Sequence, residues 1–167
     1  DAPAPPTTVV LHGLEGCSLS GYVLQTMREL AAHGVRAVAM NFRTCGGEPN
    51  RLARFYHSGE TGDLGFVLGM LAVRYPDAPL GAVGFSLGGN VLLKYLGETG
   101  ASSLARAAVA VSVPFDLGAG ATSMERGMGR LYTARFLRTL RGKYERKRPL
   151  IGDAEDGGRV LAPPTLR

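Results

Sequence analysis

Short apolar runs alternate along the chain with longer stretches in which apolar positions recur every three or four residues. Thr7 to Leu11 is a β-branched, apolar run that gives way to Gly13, Gly16 and Ser18, as a strand gives way to a turn. Val23, Met27, Leu30 and Ala31 follow the spacing of one helix face, and Gly34 supplies a stop. Val35 to Met40 predicts a second strand. After a long loop, Leu64, Leu68, Leu71, Ala72 and Tyr75 repeat the helical spacing as far as Pro76, which cannot continue a helix. Leu80 to Phe85 reads as a third, buried strand, Leu87 to Leu96 as a third helix, and Ala107 to Val113 as a fourth strand.

Alternation of this kind places parallel strands in one open sheet with crossover helices on both faces, an α/β architecture. The turn after the third strand and the loop after the first give an expected strand order of second, first, third, fourth. In such sheets ligands bind at the carboxyl ends of the strands, so chemistry is to be sought in the segments just after each strand.

The third strand runs directly into Gly84, Phe85, Ser86, Leu87 and Gly88, and a helix follows at once. G-x-S-x-G at a strand-to-helix junction is the pattern of a nucleophile elbow, in which a sharp turn exposes the serine hydroxyl and the flanking glycines avoid backbone collisions. Glycine is common in this chain, so the junction, more than the pattern, gives the match its weight. Just after the first strand, His12, Gly13, Leu14, Glu15 and Gly16 form an H-G-x-x-G loop. Acyl transfer through a tetrahedral intermediate needs two convergent N–H donors, which by position are the backbone amides of Leu14 and Leu87. His12 reads as a structural hydrogen bonder at the pocket more than as a base.

Composition narrows the setting. With 167 residues the chain suits one compact domain, and 45% hydrophobic with 20% charged residues excludes a disordered polyelectrolyte. No apolar stretch approaches the roughly 20 residues of a spanning helix. Residues 1–125 carry a net charge of −2 and residues 126–167 a net +7, so the basic balance belongs to the tail. Cys17 and Cys45 are too few for a disulfide scaffold and are not spaced like zinc ligands, which fits a reducing cytoplasm. No metal or other cofactor is called for.

The runs VLHGLEGCSLSGYV, MNFRTCGGEPNRLARFYHSGETGDL, GFSLGGNVLLKYLGE and VSVPFDL together resemble the YheT-like branch of the α/β-hydrolases, predicted esterases related to abhydrolase-domain lipid hydrolases. The resemblance implies a carboxylic-ester hydrolase with a Ser, Asp and His triad, acting on medium- or long-chain acyl esters or lipids through an acyl-enzyme on Ser86. Thr44 stands where that branch usually has glycine, and Gly62, Gly65 and Gly69 fall in a helix normally built from better helix formers.

One departure is larger. The triad of such hydrolases follows the order Ser, acid, His, yet His12, His33 and His57 all precede Ser86. The resemblance implies that the first strand here is the third of the full fold and the last the sixth, so the triad acid and base are expected beyond the chain and the chain alone is expected to be nearly inactive. His57, in the long loop after the second strand, is a candidate pocket-lining or loop-fixing residue and, less favoured, a substitute base. Asp116 follows the fourth strand and could orient a histidine, but reads first as a turn or N-cap residue, and Cys17 and Cys45 read as ordinary loop thiols more than as reactive ones.

The basic segment from Arg126 to Arg148 holds nine Lys or Arg and only Glu145 as acid, interleaved with Met128, Leu131, Tyr132, Phe136, Leu137 and Leu140. Because basic and apolar positions mix around the helix, a cap over the active site is favoured over peripheral contact with an anionic membrane, and nucleic acid is not expected. The expected layout is a hydrolase core fragment over 1–121, a basic helical cap over 122–148 and a loop over 149–167. Two other functions fit the same motifs: a noncatalytic binding module that keeps the elbow, and an acyltransferase that resolves the acyl-enzyme with another hydroxyl.

Overall fold

The computed structural model describes residues 3–152. Its order is β1 (Thr7–Leu11), α1 (Gly21–Ala32), β2 (Arg36–Met40), α2 (Gly62–Arg74), β3 (Leu80–Phe85), α3 (Leu87–Thr99), a 3₁₀ turn at Gly100–Ser102, β4 (Ala107–Val111), α4 (Leu117–Met124) and α5 (Gly129–Ile151). The chain divides into two compact units, one of Asp1–Phe42 with Tyr56–Val113 and the other of Arg43–Phe55 with Pro114–Arg167.

The first unit is a four-stranded parallel sheet in the expected order β2-β1-β3-β4. β1 is central and buried along its whole length, whereas β4 at the edge is exposed over its first three residues. The path leaves β1 toward β2 and later leaves β3 toward β4 in the opposite sense. With right-handed crossovers, that reversal puts α1 on one face and α2 and α3, which pack on each other, on the other. Val9, Val10, Leu11, Val23, Leu64, Leu68, Val91 and Leu92 are fully buried and form the core between these layers. The reversal point lies between β1 and β3, where an open parallel sheet offers its binding crevice.

Three boundaries depart from the hydrophobic pattern. β4 stops at Val111 because Ser112 turns into the left-handed region at φ 52°. The basic segment expected as one helix over 122–148 is two helices, α4 and α5. Between them Gly127 takes φ 50°, and a Cβ on Gly129 would lie 2.7 Å from Met124 Cα, so the corner between the helices is built on glycine. Thr133 Oγ1 donates to the Met124 carbonyl at 2.9 Å and stitches the pair together. α5 also runs past Pro149 to Ile151, because a proline so near the end removes only one last-turn bond before Gly152, at φ 75°, closes the helix. The rest of the predicted 149–167 loop lies outside the described residues.

Mixing of basic and apolar positions on α5 has a counterpart in its burial. Lys143 and Lys147 are buried within the second unit, while Leu131 and Tyr132 are exposed. Among the described residues no helix is long and apolar enough to cross a membrane.

Candidate active site

Ser86 joins the last residue of β3 to the first of α3 with its backbone at φ 51°, ψ −116°. L-residues rarely adopt this region, and holding one there costs about 1–3 kcal/mol. The turn closes only because its neighbours lack side chains. A Cβ on Gly84 would lie 2.5 Å from the Gly88 carbonyl oxygen, and one on Gly88 would lie 2.6 Å from that of His12. The Ser86 N–H donates to the Val111 carbonyl at 2.8 Å, fastening the elbow to the end of β4. The side chain is half-buried at the N-terminus of α3, where the helix dipole favours negative charge.

The loop after β1 abuts this elbow, since a Cβ on Gly13 would be 3.3 Å from Ser86 Cβ. Two tyrosines hold its backbone. Gly13 N–H donates to Tyr22 Oη at 2.9 Å, and Glu15 N–H donates to Tyr56 Oη at 3.0 Å. Tyr56 Oη in turn donates to Glu15 Oε1 at 2.6 Å, which fixes Glu15 at φ 56°. Gly16 N–H closes a turn onto the Gly13 carbonyl at 3.0 Å. Beneath the loop, Tyr56 stacks on Phe42 at 5.4 Å between centroids, and Phe42 meets His12 edge-on at 4.9 Å. With those amides engaged, no acceptor is found among the described residues for the N–H of Leu14, nor for that of Leu87, which opens α3.

His12 is the structural hydrogen bonder that the sequence suggests, but it does not line an open pocket. It is instead fully buried, its Nδ1 2.7 Å from the Gly13 carbonyl oxygen and its Nε2 accepting the Phe42 N–H at 3.2 Å. That pairing requires the neutral ring with its proton on Nδ1 and makes His12 a brace between the loop and the end of β2. His57 is exposed and its Nδ1 accepts the Gly59 N–H at 3.1 Å within its own loop. Nδ1 of His33 donates to the Glu29 carbonyl at 2.8 Å, at the C-terminus of α1. No side chain hydrogen bonds to Ser86 Oγ among the described residues.

In the second unit, Asp116 caps α4, its Oδ1 accepting the Ala119 N–H at 2.8 Å, as its place after Pro114 suggested. Among the described residues no group of three or more His, Cys, Asp or Glu could hold a metal ion. Sequence reasoning missed Tyr22 and Tyr56. Nothing in their spacing marks them as hydroxyl partners of a loop far away in the chain, although Tyr56 opens the YHSGET run that carried part of the resemblance.

A family profile described as alpha/beta hydrolase fold matches residues 6–148. The chain is 44% identical over 142 residues to Escherichia coli (strain K12) "Putative esterase YheT", covering 85% of this chain and 42% of that protein. It is 33% identical over 168 residues to mouse "Phospholipase ABHD3", covering all of this chain and 41% of that protein. The chain thus spans less than half the length of these curated relatives. Among solved structures, the esterase Pf2001 of Pyrococcus furiosus superposes with a TM-score of 0.63 at 26% identity, over 74% of this chain and 48% of that one. The serine hydrolase XC6422 of Xanthomonas campestris gives 0.59 at 27% identity, over 70% and 52%.

Proposed function

This chain belongs to the family of α/β-hydrolase fold proteins, and from that premise we propose that Ser86 is the nucleophile of a carboxylic-ester hydrolase. The observation that supports this most is the backbone of Ser86 at φ 51°, ψ −116°, a strained conformation kept at a strand-to-helix junction and at the reversal point of the sheet. Ser86 Oγ attacks the ester carbonyl, the alcohol leaves, and water resolves the acyl-enzyme. The amides of Leu14 and Leu87 receive the developing oxyanion, a role for which neither is otherwise engaged.

A serine hydroxyl needs a base within hydrogen-bond reach. His12 and His33 are committed to backbone carbonyls, and His57 accepts a hydrogen bond from its own loop. Our reading therefore assigns the triad histidine and its acid to residues outside this sequence. Relatives named as an esterase, a phospholipase and, in Saccharomyces cerevisiae, a monoacylglycerol lipase favour acyl esters of lipids as the substrate class.

A fluorophosphonate probe and p-nitrophenyl esters of graded chain length test the proposal on the full-length protein that contains this segment. Ser86 should carry the label, and Ser86→Ala should leave only the residual catalysis of the oxyanion hole and binding, about 10³- to 10⁴-fold above water. Labelling that survives Ser86→Ala would refute the assignment. Efficient labelling of Ser86 in the 167-residue chain alone would move the base to His57.

A further inference from the structure

α5 grips the 43–55 segment through two lysines one helical turn apart, all within the second unit. Lys147 is fully buried and conventionally satisfied. Its Nζ donates to Asn50 Oδ1 at 2.8 Å and to the Arg54 carbonyl at 2.5 Å, and lies 4.2 Å from the centre of the Phe55 ring. Lys143 meets a different partner. Its Nζ lies 3.1 Å from Cys45 Sγ, with Lys143 and Cys45 only 9% and 8% exposed.

Sulfur is a weaker acceptor than the oxygens that hold Lys147. What the pairing offers is reactivity. A cation at hydrogen-bond distance from a thiol favours its thiolate, the form that peroxides oxidise, and an amine is a nucleophile able to trap the oxidised sulfur. The 3.1 Å separation is already that of a near-attack arrangement, so the amine competes well with any thiol arriving from solution. The other cysteine of the chain, Cys17, lies in the first unit.

The geometry points to Cys45 and Lys143 as a site of oxidative modification, at which a peroxide converts the pair into a covalent Sγ–Nζ sulfenamide. In the first step the Cys45 thiolate attacks one oxygen of hydrogen peroxide, the O–O bond breaks and hydroxide leaves. Sulfur loses two electrons to the peroxide and becomes a sulfenic acid. The hydroxide takes a proton from the Lys143 ammonium and becomes water. In the second step the neutral Nζ attacks sulfur, the S–N bond forms, the S–O bond breaks, and the hydroxyl leaves as water with a second proton from nitrogen. The protein has lost two hydrogens, and the 43–55 segment is fastened to α5. Two equivalents of a thiol reductant restore both side chains and are oxidised to a disulfide.

The test uses the chain carrying Cys17→Ala, treated with hydrogen peroxide and read by intact mass and peptide mapping. The expected result is a fall of about 2 Da, a peptide containing Cys45 joined to one containing Lys143, and separation of the two by dithiothreitol. Lys143→Arg keeps the charge without the nucleophilic amine, so Cys45 there should gain oxygen in steps of about 16 Da and join nothing. A Cys17→Ala chain in which Cys45 stays unmodified, gains only oxygen or joins a different lysine would overturn the proposal, whatever the behaviour of Lys143→Arg.

Discussion

The Tyr56 hydroxyl and Glu15, 41 residues apart in the chain, hold each other twice: Tyr56 Oη donates to Glu15 Oε1 at 2.6 Å and accepts the Glu15 N–H at 3.0 Å. One phenol thus satisfies both a carboxylate and the backbone amide of a residue at φ 56°. The Leu14 peptide precedes this clamp and follows Gly13, which is tied to Tyr22. The candidate oxyanion donor is therefore fixed from both sides before any substrate arrives, which is what electrostatic preorganisation requires.

Tyr56→Phe removes both of these hydrogen bonds to Glu15 while leaving the ring stacked on Phe42. It should lower the unfolding free energy by about 1.5–3 kcal/mol, seen as a reduced urea midpoint at unchanged slope. Glu15→Gln keeps an acceptor for the phenol and should cost about half as much. Equal losses for the two substitutions would mean that the carboxylate charge, more than the phenol, sets the loop.

Strain at the elbow can be measured directly. Ser86→Gly and Ser86→Ala both remove the hydroxyl, but only glycine is at ease at φ 51°. The glycine variant should be more stable than the alanine variant by about 1 kcal/mol in denaturant unfolding, relief of strain exceeding the added entropy of the unfolded chain. A less stable glycine variant would show that the elbow holds no strain.

The glycines of α2 differ in what they permit. A Cβ on Gly69 meets nothing within 4 Å, so Gly69→Ala should stabilise by about 0.5–1 kcal/mol through helix propensity. On Gly65 the Cβ would touch Tyr95 Cε2 at 3.4 Å where α2 packs on α3, and Gly65→Ala should give little or no gain. Thermal midpoints of the two variants check the contrast.

Burial, with the Arg43 charge as the second cause, holds the Lys147 ammonium below its ordinary range. Between that lowered pKa and the unfolded value near 10.4 the unfolded chain binds more protons than the folded one, so stability from this group rises with pH across the window. Lys147→Met removes the titration. The difference in unfolding free energy between native and variant should therefore shift in favour of the native protein as the pH is raised toward about 10. A difference independent of pH would sink this reading.

By itself the sequence determined the strand and helix succession as far as β4 and the place of Ser86 at a strand-to-helix junction, because each depends on local information: period, β-branching, and glycines where a turn forbids a Cβ. Thr7–Leu11 and Leu80–Phe85 are read to the residue for that reason. Tertiary structure alone decided the partners of the polar groups that reach across the chain. His12 has the same local sequence whether it lines a pocket or braces a loop, and burial under Phe42 decides for the brace. Tyr56 reaches Glu15, and Lys143 reaches Cys45, only because the fold brings them together across 41 and 98 residues. Hydrogen bonds at such separations leave no period in a sequence, since their geometry is fixed by packing between elements and not by the spacing within one.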